Sequence, residues 1–178
     1  MDRMDARSAI QGDDTASLCP ACPADKSFLF NLFAESQDQL TGLRSNEALW
    51  RSLVEMQFRG RAMTYAAQYP EAEDSILLGE DGQPAGRLLL DCQPDRWRIV
   101  DIAVQAARRG QGLGTGVMRQ CQQRAAAAGA RLELQVRPEN PARRLYERLG
   151  FRVASEEGFA VEMVWSAVDE MQSGEENP

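Results

Sequence analysis

The chain has 178 residues, of which 43% are hydrophobic, and a formal net charge of −7. This length suits a single domain with a packed core. The acidic balance argues against a general nucleic-acid binder, and no apolar run is long enough to cross a bilayer. The polar N-terminus lacks the apolar core of a signal peptide, so we expect a cytoplasmic protein.

The predicted elements begin with a short strand over residues 17–21. An amphipathic helix follows over 27–37, with Asp25 as its N-cap. A second helix is predicted over 46–68, where residues recur at helical spacing before a proline ends the pattern. The residues at this spacing are Leu49, Leu53, Met56, Gly60 and Met63.

The second half of the chain is expected to alternate strands and helices. Strands over 75–79 and 86–91 flank the turn signal Asp81-Gly82, which is typical of a hairpin. The mostly apolar run 97–104 predicts a central strand. The remaining predicted elements are a helix over 113–128, a strand over 132–136, a helix that opens at Asn140-Pro141 and stops at Gly150, and two strands near 151–154 and 159–165.

The charge is unevenly distributed along the chain. Residues 96–152 contain twelve arginines and four acidic residues, so a basic segment lies within an acidic protein. Two interpretations remain open for this segment. The arginines hold a polyanionic small ligand, or they lie on solvated helix faces.

Four cysteines and no histidine restrict the metal and redox chemistry available to the chain. Cys19 and Cys22 have the spacing of a redox dithiol or of half a zinc site. However, Pro23 follows directly, and no histidine can complete a four-ligand zinc site. Cys121 falls in the middle of a predicted helix, where no histidine can activate it. We therefore predict no metal site and no acyl-cysteine intermediate.

A glycine-rich turn, RGQGLGTG over residues 109–116, links the predicted central strand to the next helix. Glycine allows successive N–H groups to point into one concavity, and a helix N-terminus adds unpaired donors and partial positive charge. Arg108 and Arg109 stand at the same place, so the turn predicts a phosphate site. It lacks the lysine of an ATP-binding P-loop, and the dinucleotide pattern Gly-x-Gly-x-x-Gly fails at Thr115 and Val117.

Three segments together resemble the GNAT acyltransferases. The turn fits the pyrophosphate-loop pattern Arg/Gln-x-x-Gly-x-Gly/Ala of that family at Arg109, Gly112 and Gly114. The strand segment DIAV precedes it. The segment NPARRLYERLGF over 140–151 is similar to the second signature, Asn-x-x-Ala-x-x-Leu-Tyr-Glu-x-x-Gly-Phe, but it is one residue shorter, and the family alanine is displaced to Ala142 or replaced by Arg143.

This resemblance implies the fold class and the domain boundaries. The class is α/β (α+β), a GNAT fold whose central mixed, twisted β-sheet of about six to seven strands is flanked by about four helices. The acyltransferase domain is expected over 16–166. It would lie between a disordered segment over 1–15 and an acidic, flexible tail over 167–178.

The resemblance also implies a site for acetyl-CoA, a co-substrate, and no metal. In the family, the strand before the loop splays from its neighbour at a bulge, and the pantetheine arm pairs with the freed backbone. The implied pantetheine-binding residues are Ile102, Ala103 and Val104. The implied pyrophosphate-binding residues are Arg109, Gly110, Gln111, Gly112, Leu113, Gly114 and Thr115. Asn140 would touch the cofactor or serve only as a helix cap, and Arg143 or Arg144 would approach a phosphate or remain a solvated charge.

Tyr146 matches the family tyrosine that protonates the departing thiolate as a general acid. The ordinary tyrosine pKa of about 10 keeps such a phenol protonated at neutral pH. In one branch of the family, the ribosomal-protein N-terminal acetyltransferases, a glutamate lies five residues before the signature asparagine, and here that position is Gln135. The base therefore stays open. Asp101 is the first candidate, alternatively a strand-surface charge, and Glu133 is the second.

Two functions follow as alternatives. The first is an N-acetyltransferase that moves an acetyl group from acetyl-CoA to an acceptor amine by direct attack in a ternary complex. The second is a non-catalytic acyl-CoA-binding or sensing module with a GNAT-like fold, which Gln135 favours and Tyr146 opposes. The expected partners are acetyl-CoA and an amine-bearing acceptor, without nucleic acid or membrane, and a homodimer is left open. Expected wall residues of the acceptor site are Gln57, Phe58, Tyr65 and Trp165.

Overall fold

A computed structural model of the protein describes residues 17–37, 42 and 45–167. The disorder predicted over 1–15 lies outside these residues. So does the tail predicted over 167–178, apart from Ala167.

A seven-stranded sheet in the order β1-β2-β3-β4-β5-β7-β6 forms the centre of the fold. The β4–β5 pair is parallel and the other neighbours are antiparallel. The predicted mixed sheet is therefore confirmed. The strands are β1 (Ser17–Pro20), β2 (Glu73–Leu78), β3 (Pro84–Cys92), β4 (Arg96–Val104), β5 (Arg131–Val136), β6 (Arg152–Glu157) and β7 (Ala160–Trp165). The helices are α1 (Lys26–Glu35), α2 (Glu47–Gln68), α3 (Leu113–Ala127) and α4 (Arg143–Arg148).

The main core lies between α3 and the middle of the sheet. One face of α3 carries Val117, Met118, Cys121 and Ala125, all almost fully buried, in one cluster with apolar side chains of β3, β5 and β7. Burial raises the pKa of the Cys121 thiol to about 12. The thiol is thus held in its uncharged form and packs as a small apolar group in the core.

The outward face of α2 differs from what its periodicity suggests. Leu49, Met56 and Met63 recur every seven residues but are exposed, and Val54 is the fully buried side chain of this helix. The inward face also carries polar residues such as Arg61 and Tyr65. Because that face borders a polar cavity, the strongest apolar pattern does not mark the buried side.

The helix predicted to open at Asn140-Pro141 begins later, at Arg143. The Oδ1 atom of Asn140 accepts a hydrogen bond from the N–H of Ala142 at 2.9 Å. Asn140 therefore stabilises a turn ahead of α4, as asparagine side chains commonly do two residues upstream of an N–H group.

The pair Cys19 and Cys22 does not share one environment. Cys19 is buried in β1, whereas Cys22 is exposed, and neither forms a disulfide within the described residues. The carboxylate of Asp25, at the N-cap position of α1, accepts from the N–H of Cys22 at 3.0 Å. The described residues contain no group of three or more potential ligands placed to hold a metal ion. No helix within them is long and apolar enough to cross a membrane.

Gly86 of β3 lies against the backbone of β4 and leaves no room for a side chain. A Cβ atom there would overlap the carbonyl oxygen of Ala103 and lie 3.3 Å from the Cα atom of Val104. We expect Gly86→Ala to lower the free energy of unfolding by about 1–3 kcal/mol, because the two strands must separate to accept the methyl group. Urea denaturation followed by circular dichroism measures this change.

Gly60→Ala is the matched control for this prediction. Gly60 lies on the exposed face of α2, and nothing described outside its own helix lies within 4 Å of an added Cβ atom. The same methyl group should therefore raise the unfolding free energy by about 0.5–1 kcal/mol. Equal destabilisation by both substitutions would contradict the close approach at Gly86.

Candidate active site

A slot opens between β4 and β5 because their pairing stops halfway along the strands. The parallel register runs from Arg96 opposite Arg131 to Ile99 opposite Leu134, and no pair of the two strands follows in the described chain. On the other edge of β4, the register with β3 skips Val100, which is a β-bulge. A bulge turns the strand and increases its twist, which separates β4 from β5.

The residues expected to meet the pantetheine arm lie on the free part of β4. Ile102, Ala103 and Val104 still pair with β3 on one edge and are half-buried. Their other edge faces the slot, where their backbone groups are available to a ligand. The structure thus contains the bulge and the divergence that the sequence resemblance implied.

The glycine turn joins this strand to α3 and has an open concave side. Gly110 and Gly112 have φ values of 76° and 81°, in the region that favours glycine, and Gly112 is the N-cap of α3. No described atom beyond their chain neighbours lies within 4 Å of a Cβ atom added at either position. The first turn of α3 also leaves its N–H groups without helical acceptors, so Leu113, Gly114 and Thr115 present donors to this space.

The start of the turn is occupied by internal contacts. The N–H of Arg109 donates to the carbonyl of Ala106 at 3.3 Å, so the free donors begin at Gly110 and not at Arg109. The Nε atom of Arg109 donates to the carbonyl of Val104 at 3.0 Å and fixes the turn against the end of β4. Arg108 pairs with Asp81 of the β2–β3 turn, and this hydrogen bond lowers the pKa of Asp81.

Arg143 is partly neutralised at the start of α4. Its guanidinium lies 3.0 Å from Glu147 and 3.7 Å from Glu156. Arg144 is exposed. Because the carboxylates of Glu147 and Glu156 both lie near the Arg143 guanidinium, Arg143 is a weaker candidate for phosphate binding than its position in the signature implied.

A cavity of about 960 Å³ continues from the slot and is lined by Asn140, Tyr146 and Asp101. Tyr146 is 7% exposed, and its hydroxyl has no hydrogen-bond partner among the described residues. Burial, with a further contribution from the charge of Asp101, raises the pKa of Tyr146 to about 12. The phenol is therefore a protonated donor that remains available to a ligand in the cavity.

Asp101 is held between two arginines in the wall of this cavity. One carboxylate oxygen accepts from Arg61 at 2.6 Å, and the other accepts from Arg87 at 3.4 Å. Arg87 also forms two hydrogen bonds of 2.8 Å to Asp74. Burial alone would lower the pKa of Arg87, but the hydrogen bond and charge of Asp74 and the charge of Asp101 raise it. The Asp101 carboxylate is therefore shared between two guanidinium groups.

Arg61 is fixed in position by two aromatic rings. Its guanidinium carbon lies 5.5 Å from the ring centroid of Phe33 and 5.1 Å from that of Tyr65. Its Nε atom donates to the Tyr65 hydroxyl at 2.7 Å. Burial raises the pKa of Tyr65, so this hydroxyl stays uncharged. The arginine, the two rings and Asp101 thus form a rigid side of the cavity.

A second, smaller cavity of about 350 Å³ adjoins the first. Its walls are mostly apolar and include Leu29, Leu32, Phe33 and Phe58. Asp101 belongs to the walls of both cavities, as do Phe33, Ser36, Arg61 and Ala103, so these residues lie between the two spaces.

The other candidate base is placed differently. Glu133 is buried on β5, where it accepts from Arg131 at 2.7 Å and lies 3.7 Å from Arg98. It does not belong to the described lining of either cavity, whereas Gln135 of the same strand lines the larger one. Glu133 therefore has the contacts of a structural ion pair.

The residues predicted to wall the acceptor site lie in three different places. Gln57 and Tyr65 line the large cavity and Phe58 lines the small one, but Trp165 is 4% exposed in the core at the end of β7. Sequence reasoning missed Arg61 and Arg98. Arg61 resembles any exposed arginine of an amphipathic helix, and no signal could have found it, because its role depends on a residue forty positions away.

Comparisons with known proteins agree with this geometry. Residues 35–151 match the model of the acetyltransferase (GNAT) family. The fold is similar to that of the PaiA N-acetyltransferase from Thermoplasma acidophilum in complex with coenzyme A, with a TM-score of 0.65, 13% identity, and coverage of 84% of this chain and 97% of that one. No curated protein matches the chain.

Two further structures resemble the chain over most of its length. One is a GCN5-related N-acetyltransferase structure from Rhodopseudomonas palustris, with a TM-score of 0.60, 22% identity, and coverage of 85% of this chain and 96% of that one. The other is a putative GnaT-family acetyltransferase from Bordetella pertussis, with a TM-score of 0.59, 21% identity, and coverage of 90% of this chain and 100% of that one. At these identities the likeness concerns the fold.

Proposed function

The chain belongs to the GNAT acetyltransferase family, and on that premise we propose that it transfers an acetyl group from acetyl-CoA to an acceptor amine by direct attack in a ternary complex. The catalytic domain in this proposal is residues 16–166. The observation that carries it is the presence of three features around the free end of β4: the slot beside this strand, the open glycine turn that follows it, and the hydroxyl of Tyr146, which lines the large cavity and has no partner among the described residues.

The proposed donor site uses backbone groups for most of its contacts. The pantetheine arm lies in the slot beside Ile102, Ala103 and Val104, and the pyrophosphate meets the N–H groups from Gly110 to Thr115. Positioning of the thioester beside the acceptor then provides much of the rate enhancement. Asn140 contributes from the opposite side of the slot, in the lining of the same cavity.

The proposed reaction needs one acid and one proton acceptor. The neutral amine nitrogen attacks the thioester carbonyl, the carbon–sulfur bond breaks, and Tyr146 gives its proton to the departing thiolate. The proton lost by the amine restores the phenol through solvent. Asp101 remains our proposed first acceptor of that proton, acting through water, since it is the one carboxylate among the described residues that line the large cavity.

The experiment that tests this function is release of the CoA thiol from acetyl-CoA with a panel of primary amines. We expect thiol release that depends on both substrates, and mass spectrometry should detect an N-acetylated product. Tight binding of acetyl-CoA without thiol release from any amine would instead favour the non-catalytic acyl-CoA module, an alternative supported by Gln135 in place of a glutamate. Absence of acetyl-CoA binding would exclude both functions.

A further inference from the structure

The charges that line the large cavity are mainly positive. Its described walls contain three arginines, Arg61, Arg98 and Arg137, and a single carboxylate, Asp101. An acidic chain with net charge −7 thus presents a cationic surface at this place. The charge inside a cavity, unlike the net charge of the chain, acts directly on a bound ligand.

Two of these arginines already have partners. Arg61 is bound to Asp101, as described above. Arg98 forms two hydrogen bonds with Glu162, at 2.7 and 3.3 Å, and lies 3.7 Å from Glu133. The charge of each guanidinium is therefore already balanced by a carboxylate of the protein.

Arg137 is different. It directly follows the last residue of β5, it is exposed, and its side chain has no hydrogen bond or ion pair with any residue that the structure describes. It lines the same cavity as Tyr146 and Asp101. An unmatched guanidinium that faces a ligand cavity is suited to bind a carboxylate through paired hydrogen bonds.

The small cavity supplies the second element of recognition. It shares Asp101 with the walls of the large cavity, where the reacting amine is placed in the proposed function, and its other walls include Leu29, Leu32 and Phe58. A space of about 350 Å³ with such walls fits an apolar side chain.

We propose that the acceptor is an amino acid or a related amine with an apolar side chain, and that Arg137 binds its carboxylate. The amine then lies beside Asp101, the apolar group enters the small cavity, and the carboxylate points into the large one. This inference deepens the proposed acetyltransferase function and rests on it. Arg137 acts here as a specificity-determining residue that touches the acceptor and not the transferred acetyl group.

The test uses reaction products that differ only in the anionic group. The N-acetyl derivatives of alanine, leucine and phenylalanine, each as free acid and as primary amide, are titrated by calorimetry into the CoA-saturated protein. At least one acid should bind about 10- to 100-fold more tightly than its amide, because a hydrogen bond to a charged group is at stake. Equal binding of every acid and its amide would overturn the proposal.

Arg137→Gln identifies the residue responsible. We expect this variant to remove the preference for the acid while leaving the affinity for CoA unchanged. Arg131→Gln is the matched control, because Arg131 is an exposed arginine at the opposite end of β5 that lines neither described cavity, and it should keep the preference. If Arg137→Gln weakens CoA binding instead, Arg137 serves the cofactor and the inference is wrong.

Thiol release from acetyl-CoA, measured with the free amino acids, their primary amides and amines that lack a carboxylate, separates failure of this inference from failure of the proposed function. The rates are compared per unprotonated amine. If the amino-acid amides, or amines that lack a carboxylate, release thiol as fast as the amino acids, the inference is refuted and the proposed acetyltransferase function stands. Acid-selective binding that depends on Arg137, without thiol release from any amine, would support the anion site and refute acetyl transfer.

Discussion

Tyr146→Phe should reduce kcat for acetyl transfer by about 10²- to 10⁴-fold, the usual contribution of a general acid, with little change in the affinity for acetyl-CoA. The substitution removes only the hydroxyl, which lines the large cavity and has no partner in the described part of the chain. The tilted contact between the rings of Tyr146 and Phe151, with centroids 6.0 Å apart, is kept. Single-turnover thiol release measures the chemical step, and calorimetry with acetyl-CoA provides the control.

The pH dependence of the wild-type protein gives an independent check on this role. Because the pKa of Tyr146 is raised to about 12, its phenol keeps its proton, and hence its function as an acid, well above the ordinary tyrosine value. The rate should therefore rise with pH as the acceptor amine loses its proton, with no decline near pH 10. A decline centred there would contradict the raised pKa of Tyr146, and a Tyr146→Phe variant with full activity would rule out the acid role.

Gly112→Val should weaken acetyl-CoA binding by about 100-fold or more, which corresponds to about 2.7 kcal/mol. The φ value of 81° at Gly112 is costly for any other residue and most costly for a β-branched one. The valine side chain would also enter the concavity where the N–H groups of the turn and of α3 converge. Calorimetric titration with acetyl-CoA measures the loss.

Gly129→Val separates loss of binding from strain in the backbone. Gly129 has a φ value of 67° just beyond the other end of α3, with no described atom outside its chain neighbours near an added Cβ atom. This variant should lose a similar amount of stability and retain its affinity for acetyl-CoA. If both variants bind acetyl-CoA equally well, the turn at Gly112 does not hold the pyrophosphate.

The local features of the fold were predictable because each depends on a few neighbouring residues. The residue types indicate the backbone conformation directly at three places: the turn Asp81-Gly82, the apolar run that forms β4, and the glycines before α3. The start of α4 was predicted too early, because asparagine followed by proline fits a helix start and a preceding turn equally well.

The arrangement of charges around the site was not predictable in the same way. The chain Asp74–Arg87–Asp101–Arg61 joins β2, β3, β4 and α2, so it depends on the register of three strands and on the rotation of a helix. The periodicity of α2 was also misleading. Its outward stripe of Leu49, Met56 and Met63 is apolar, whereas the face that borders the cavity carries polar residues such as Arg61 and Tyr65. The assignment of Asp101 as a base stays a prediction, because both of its carboxylate oxygens already accept hydrogen bonds from arginines.

The short pairing between β4 and β5 has a consequence for the whole molecule. Only four residues on each strand join the β1–β4 part of the sheet to the β5–β7 part. In the proposed function, a thioester substrate in this gap would form hydrogen bonds to the first part and touch the second, so it would hold the two parts of the sheet together. Binding of the substrate would therefore also stabilise the fold against heat. A free substrate concentration of 100 times Kd would raise the free energy of unfolding by about 2.7 kcal/mol.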